Sequence, residues 1–192
     1  MKTMIRNFTW ATVLIFSRGG MAVQHDLLSE PWVTVKDKTT GLSADFPHHP
    51  LEMTFDVPFQ NTPPTGQIHI YSVPTHKGLI GLTTYRSDTL TDGHLTKEKL
   101  LEFFDTVLVP HFFFNPAVFK DHQVFNYKPA EYEGLKGAEF QFSFLDHQFE
   151  KKLNGIGLIK DHTLYILFYL ASNKDFDQKI LDRYLNSFSI GF

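Results

Sequence analysis

The sequence predicts an α+β domain, an antiparallel β-sheet with helices packed on it. Three observations carry that prediction. Short runs of alternating apolar and polar residues recur between turn-forming residues, two stretches place apolar residues at helical spacing, and the strand-like runs follow one another in groups. The clearest alternation is "AEFQFSFL", with Ala138, Phe140, Phe142 and Phe144 on one side and Glu139, Gln141 and Ser143 on the other. That pattern describes an antiparallel strand with one buried face.

Taken in order, "PWVTVKDKTTGLSADF" reads as two strands around a Lys-Thr-Thr-Gly turn. Trp32, Val33 and Val35 favour extended structure, and Leu42, Ala44 and Phe46 alternate with polar residues until Pro47 and Pro50 stop the run. "LEMTFDVPF" is a third strand ending at Pro58, "NTPPTG" is a loop, and "QIHIYSV" with "GLIGLTTY" forms a hairpin across Pro74 to Gly78. Thr96 caps a first helix with Leu100, Phe104, Val107 and Leu108 on one side, and Pro110 ends or kinks it. "HQVFNYKPAEY" is a strand leading through a Gly134 to Gly137 turn into the Phe-rich strand. "KKLNGIGLIK" and "TLYILFYLA" continue the meander, the latter apolar enough to be central. A last helix is expected to start near Ser172 or Asn173, with Phe176, Ile180, Tyr184 and Phe188 as its buried stripe.

The chain has 192 residues, suited to one core, and the domain is expected to span residues 23–192 after a leader at 1–22. Twenty phenylalanines imply a core of large aromatic side chains. The net charge of −3 and the absence of any basic cluster exclude the electrostatic footprint of a nucleic-acid binder. With no cysteine, thiolate metal sites, cysteine nucleophiles and disulfides are excluded. At the N-terminus, Lys2 and Arg6 precede a short apolar run from Phe8 to Phe16, and Gly20-Met21-Ala22 offers a small-x-small exit. That is the pattern of a secretory signal peptide, and the run is too short for the ~20 residues that span a bilayer. The expectation is export to the periplasm or beyond; a start at Met21 would instead leave the chain cytoplasmic.

Four stretches resemble the PsbP-like family. Trp32 followed by "GLSADFPHHP" is similar to the opening of bacterial members, a Trp and then a Gly-aromatic-Ser and Phe-Pro-x-x-Pro. "YEGLKGAEFQF" resembles their Gly-x-Glu-Phe segment, "TLYILFYLAS" their Leu-Tyr strand, and "YLNSFSI" their aromatic-x-x-Ser-Phe ending. The order and spacing cover most of residues 31 to 192. His48 and Leu42 stand where the family has a small residue and an aromatic. The resemblance implies a fold shared with a Ran-binding nuclear import factor, a non-enzymatic assembly or binding role, often at a membrane face, and no catalytic motif.

Several groups of residues are candidates for chemistry. His48 and His49 lie between two prolines, but neighbours in an extended segment point opposite ways and rarely share one ion, so the plain reading is a polar turn. Asp-His occurs at Asp121-His122, Asp146-His147 and Asp161-His162. If strands 122–132 and 138–145 pair with residue numbers summing to about 270, the first two meet at one end of the sheet, and Asp161-His162 lies at the other. Asp121, His122, Asp146 and His147 could then bind zinc or a similar ion; the alternative is that each is an ordinary turn. Phe112, Phe113 and Phe114 follow a helix end, as a partner-binding patch or as the floor of the core. Ser43, Ser172 and Ser187 lack a nucleophile-elbow context, and the glycines of "NGIGL" fall inside a strand rather than before a helix. No catalytic residue and no cofactor are expected. The function expected is a non-enzymatic, exported module that binds another protein near a membrane surface. The alternatives are a ligand- or metal-binding domain using the Asp-His segments, and a cytoplasmic secretion chaperone or transport adaptor.

Overall fold

The computed structural model describes residues 26–37, 40–57, 66–87, 90, 95–104, 124–146 and 149–191. A seven-stranded, wholly antiparallel sheet dominates it, in the order β3-β4-β5-β9-β8-β7-β6. Its strands are β3 (Leu51–Val57), β4 (Gly66–Thr75), β5 (Gly78–Ser87), β6 (Val124–Tyr132), β7 (Leu135–Asp146), β8 (Phe149–Lys160) and β9 (Thr163–Ser172). β1 (Val33–Lys36), β2 (Leu42–Phe46) and β10 (Ser189–Ile190) form a second sheet in the order β1-β2-β10. Two helices complete the described structure, α1 (Lys97–Phe103) and α2 (Gln178–Asn186). The described structure is therefore mostly β, with antiparallel sheets and two short helices.

Alternation along the central strand shows how the core divides. Leu164, Ile166 and Phe168 of β9 face one side, with Ile68, Ile70 and the ring of Tyr85. Leu95, Leu100, Phe103 and Phe104 at α1 pack on that side. Phe104 meets Phe142 at 4.4 Å and Phe140 at 5.2 Å between ring centroids, both edge to face, the arrangement that aromatic quadrupoles favour. Tyr165, Leu167 and Tyr169 face the opposite side, where Leu42, Ala44 and Phe46 of the small sheet and Ile180, Leu181 and Tyr184 of α2 close over them. Each such side chain contributes about 1.5–3 kcal/mol through burial. The Phe-rich strand β7 was expected to keep one face in water. Instead Ser143 is buried and Glu139 and Gln141 are half-buried, because the β7-β8-β9 half of the sheet is covered on both faces.

The glycines of "NGIGL" lie in β8, as the sequence implied. They make room for neighbours: a Cβ at Gly155 would fall 2.0 Å from the carbonyl oxygen of Leu167, and one at Gly157 would fall 2.5 Å from Leu95. The hairpin joining β6 to β7 turns at Glu133 and Gly134, with φ of 50° and 78°, as a two-residue type I′ connection requires. The expected Gly134 to Gly137 turn is thus shorter. Tyr127 pairs with Phe140 and Tyr132 with Leu135, so opposite residues sum to 267, not 270. Asp161 and His162 form another tight turn, with φ of 50° and 60°.

Local chemistry explains the helix ends. The Thr96 hydroxyl accepts from the Lys99 amide at 3.3 Å and begins α1 where expected. Residues 105–123 lie outside the described residues, so Val107, Leu108 and Pro110 do too. α2 starts later than expected, because Ser172 still belongs to β9 and pairs its backbone with Lys151. The cap is Asp177, whose carboxylate accepts from the Lys179 amide at 3.1 Å and from Lys77 Nζ at 2.9 Å. From α2, Arg183 reaches the chain entering β1: it donates to the carbonyls of Leu27 (3.1 Å), Leu28 (2.7 Å) and Glu30 (2.9 Å). Its guanidinium also lies 4.4 Å from the centre of the Trp32 ring, a cation–π geometry.

Candidate functional site

The histidines of the Pro47–Pro50 turn are exposed. His48 Nε2 lies 3.3 Å from the Pro74 carbonyl and Nδ1 3.3 Å from the His49 carbonyl. The ring therefore stitches the turn after β2 to the end of β4. Beside it, Leu27, Glu30, His48, Pro74, Thr75 and His76 line a shallow cleft of about 310 Å³. Among the described residues, no three His, Asp or Glu side chains come together as a metal ion needs.

Of the Asp-His segments, Asp161-His162 serves a turn: the His162 carbonyl accepts from the Ser87 amide at 3.0 Å, and its Nδ1 faces the Leu90 carbonyl at 2.5 Å. Asp146 ends β7, its backbone paired with Phe149, at the opposite end of β8 from Asp161. Asp121, His122 and His147 lie outside the described residues, as do Phe112, Phe113 and Phe114. The three serines considered as nucleophiles are held by structural hydrogen bonds. Ser43 Oγ meets Ser189 Oγ at 2.8 Å, Ser187 Oγ donates to the Tyr184 carbonyl at 2.7 Å, and the Ser172 hydroxyl bonds the Asp175 carboxylate.

The feature that sequence reasoning did not single out is an edge of the large sheet. An edge strand presents unpaired N–H and C=O groups, and proteins blunt such edges with proline, lysine or cover. β6, at one edge, carries Pro129, which has no N–H to offer, and Lys128 beside it, both exposed. β3, at the other, has neither residue type. Among the described residues the large hydrophobic side chains that stay exposed are Leu51, at 65%, and Met53, at 37%, and both lie on β3. Leu51 pairs with Ser72 and Met53 with Ile70, which places them on the α1 side, beyond the reach of the layer that covers Ile70.

The other side of β3 is acidic. The Tyr71 hydroxyl donates to Glu52 Oε1 at 3.3 Å. Burial, then the negative charges of Asp37 and Glu52, raise the Tyr71 phenol well above its ordinary value. Asp37 itself is buried in the β1–β2 turn, where its Oδ1 accepts from the Thr40 amide at 3.0 Å. The alternation Leu-Glu-Met was visible in the sequence, but a strand with that pattern is unremarkable until its place at the edge of the described sheet is known.

No protein family and no curated protein matches this chain in sequence. Among solved structures, it is similar to a cyanobacterial PsbP from Synechocystis, with 12% identity and a TM-score of 0.51, over 92% of this chain and 99% of that one. A Pseudomonas aeruginosa protein of unknown function, described as a putative regulator, aligns over 75% of this chain and 85% of its own, with 10% identity and a TM-score of 0.37. Among the described residues no helix is long and apolar enough to cross a membrane. The near-complete overlap with the cyanobacterial protein shows a PsbP-like fold.

Proposed function

We propose that the chain is a non-enzymatic, exported protein-binding module, a single domain from residue 23 onward, whose partner adds an extended segment to β3. One observation carries the reading: the exposed large hydrophobics Leu51 and Met53 sit on the sheet edge that lacks the proline and lysine found on β6. Strand addition uses main-chain hydrogen bonds for affinity and alternate side chains for specificity, and β3 offers both. The basic start, short apolar run and small-residue exit at Gly20–Ala22 support export, which directs the search to envelope proteins at the membrane face. The structural hydrogen bonds of Ser43, Ser172 and Ser187 support a non-catalytic role.

Selection of a displayed library of random ten-residue peptides on the full chain tests the reading. Peptides that bind the wild type and lose at least tenfold in affinity to Leu51→Lys and Met53→Lys are the expected result. Selected peptides indifferent to both substitutions would overturn it. Both side chains are exposed, so neither change threatens the fold.

A further inference from the structure

The chemistry of the segment that fits β3 follows from which side each of its residues takes. Leu51 and Met53 share the α1 side, while Glu52 pairs with Tyr71 on the opposite side. Glu52 is exposed, its carboxylate accepts from the Tyr71 hydroxyl, and among the described residues no lysine or arginine forms an ion pair with it. The Asp37 carboxylate acts on the same phenol, so two carboxylates flank Tyr71 on this side of the edge. We propose, resting on the strand-addition reading above, that the partner segment reads apolar–basic–apolar, with its lysine or arginine opposite Glu52 and its apolar side chains opposite Leu51 and Met53.

The physical grounds are those of any antiparallel or parallel neighbour. Side chains directly across a strand pair have Cβ atoms about 4.5–5.5 Å apart, where opposite charges attract and like charges repel. The apolar side chains of the segment remove Leu51 and Met53 from water. A second copy of β3 brings the wrong charge: with Leu51 opposite Met53 in antiparallel pairing, Glu52 faces Glu52. Charge complementarity therefore favours a basic segment of another protein.

The test uses the full ¹⁵N-labelled chain and three synthetic peptides, acetyl-Ser-Thr-Val-Xaa-Val-Thr-Ser-amide, with Xaa lysine, threonine or glutamate. Amide shifts of Leu51 to Thr54 are followed in titration. The lysine peptide is expected to bind two- to five-fold more tightly than the threonine peptide, with the glutamate peptide weakest. Glu52→Lys is expected to reverse the order of the lysine and glutamate peptides. An order left unchanged by Glu52→Lys would overturn the charge assignment while leaving strand addition intact. Peptides that never shift Leu51 to Thr54, or that bind Met53→Lys as well as wild type, would overturn strand addition itself. Shifts of these amides with protein concentration alone would make a second copy the occupant and overturn the basic-segment proposal.

Discussion

Arg183→Met tests how the entering chain is held. The guanidinium donates to three carbonyls at 2.7–3.1 Å, spanning Leu27 to Glu30, and lies over Trp32. Each hydrogen bond contributes about 1 kcal/mol net, and the cation–π contact about 0.5–1 kcal/mol at a partly exposed site. Methionine keeps most of the apolar stem and none of these interactions, so about 2–4 kcal/mol is lost. Segment 26–32 is also anchored by buried Leu27, by Leu28 and Trp32 packed on the core beside Tyr184, and by the Trp32 Nε1 bond to the Leu27 carbonyl at 2.8 Å. The segment precedes β1 and belongs to neither sheet, so the loss is expected as local opening more than global unfolding. Native-state hydrogen exchange at Ser29, whose amide donates to the Asp26 carbonyl at 3.0 Å, is the assay. Exchange should accelerate roughly 30- to 700-fold, at a factor of ten per 1.4 kcal/mol. Arg183→Lys keeps the charge but loses the planar fork, so its effect is intermediate. Acceleration below threefold in Arg183→Met would refute the reasoning.

Two further predictions concern the fold. A Cβ at Gly81 would meet the Phe168 ring at 2.3 Å, so Gly81→Ala should cost about 1–3 kcal/mol by overpacking in urea denaturation. Gly134 has open space around it but φ of 78°, so Gly134→Ala costs about 1–2 kcal/mol for the left-handed backbone, and Gly134→Asn should recover most of that. Asp177 is held below the usual carboxylate range, first by its hydrogen bond from Lys77 and then by the Lys179 amide and nearby lysine charges. Because its folded-state value is depressed, the associated stability is present above the unfolded carboxylate value near 3.8 and is lost as pH falls through the folded value. The urea midpoints of wild type and Lys77→Met should therefore differ at pH 6 and converge at acidic pH; a gap that stays constant across this range would refute the linkage. The pair is partly exposed, so the gap is expected to be small.

Much of the strand content was legible because its cause is local. Period-two alternation identified β2 and β7, the apolar run "TLYILFYLA" marked β9 as central, and Thr96 announced α1. The start of α2 was misplaced because Ser172 and Asn173 are plausible caps in sequence. What excludes Ser172 is its pairing with Lys151 in β8, a contact distant along the chain. The register of β6 and β7 shifted for a related reason: Glu133 adopts positive φ beside Gly134, which closes the hairpin in two residues. The edge was not legible at all. Leu51-Glu52-Met53 has the alternation of an ordinary half-buried strand, and nothing within it records that Leu51 and Met53 stay exposed at the edge of the described sheet.

By itself the sequence determined most of the strands, where α1 begins, and that the core is aromatic, since propensity, alternation and capping act between residues close along the chain. The tertiary structure decided that β5, besides its hairpin partner β4, pairs with the distant β9, that the small sheet and α2 close one face, and that among the described residues β3 is an edge of the large sheet. Those outcomes depend on which apolar faces meet across the whole chain, and an edge is defined by the pairing it lacks.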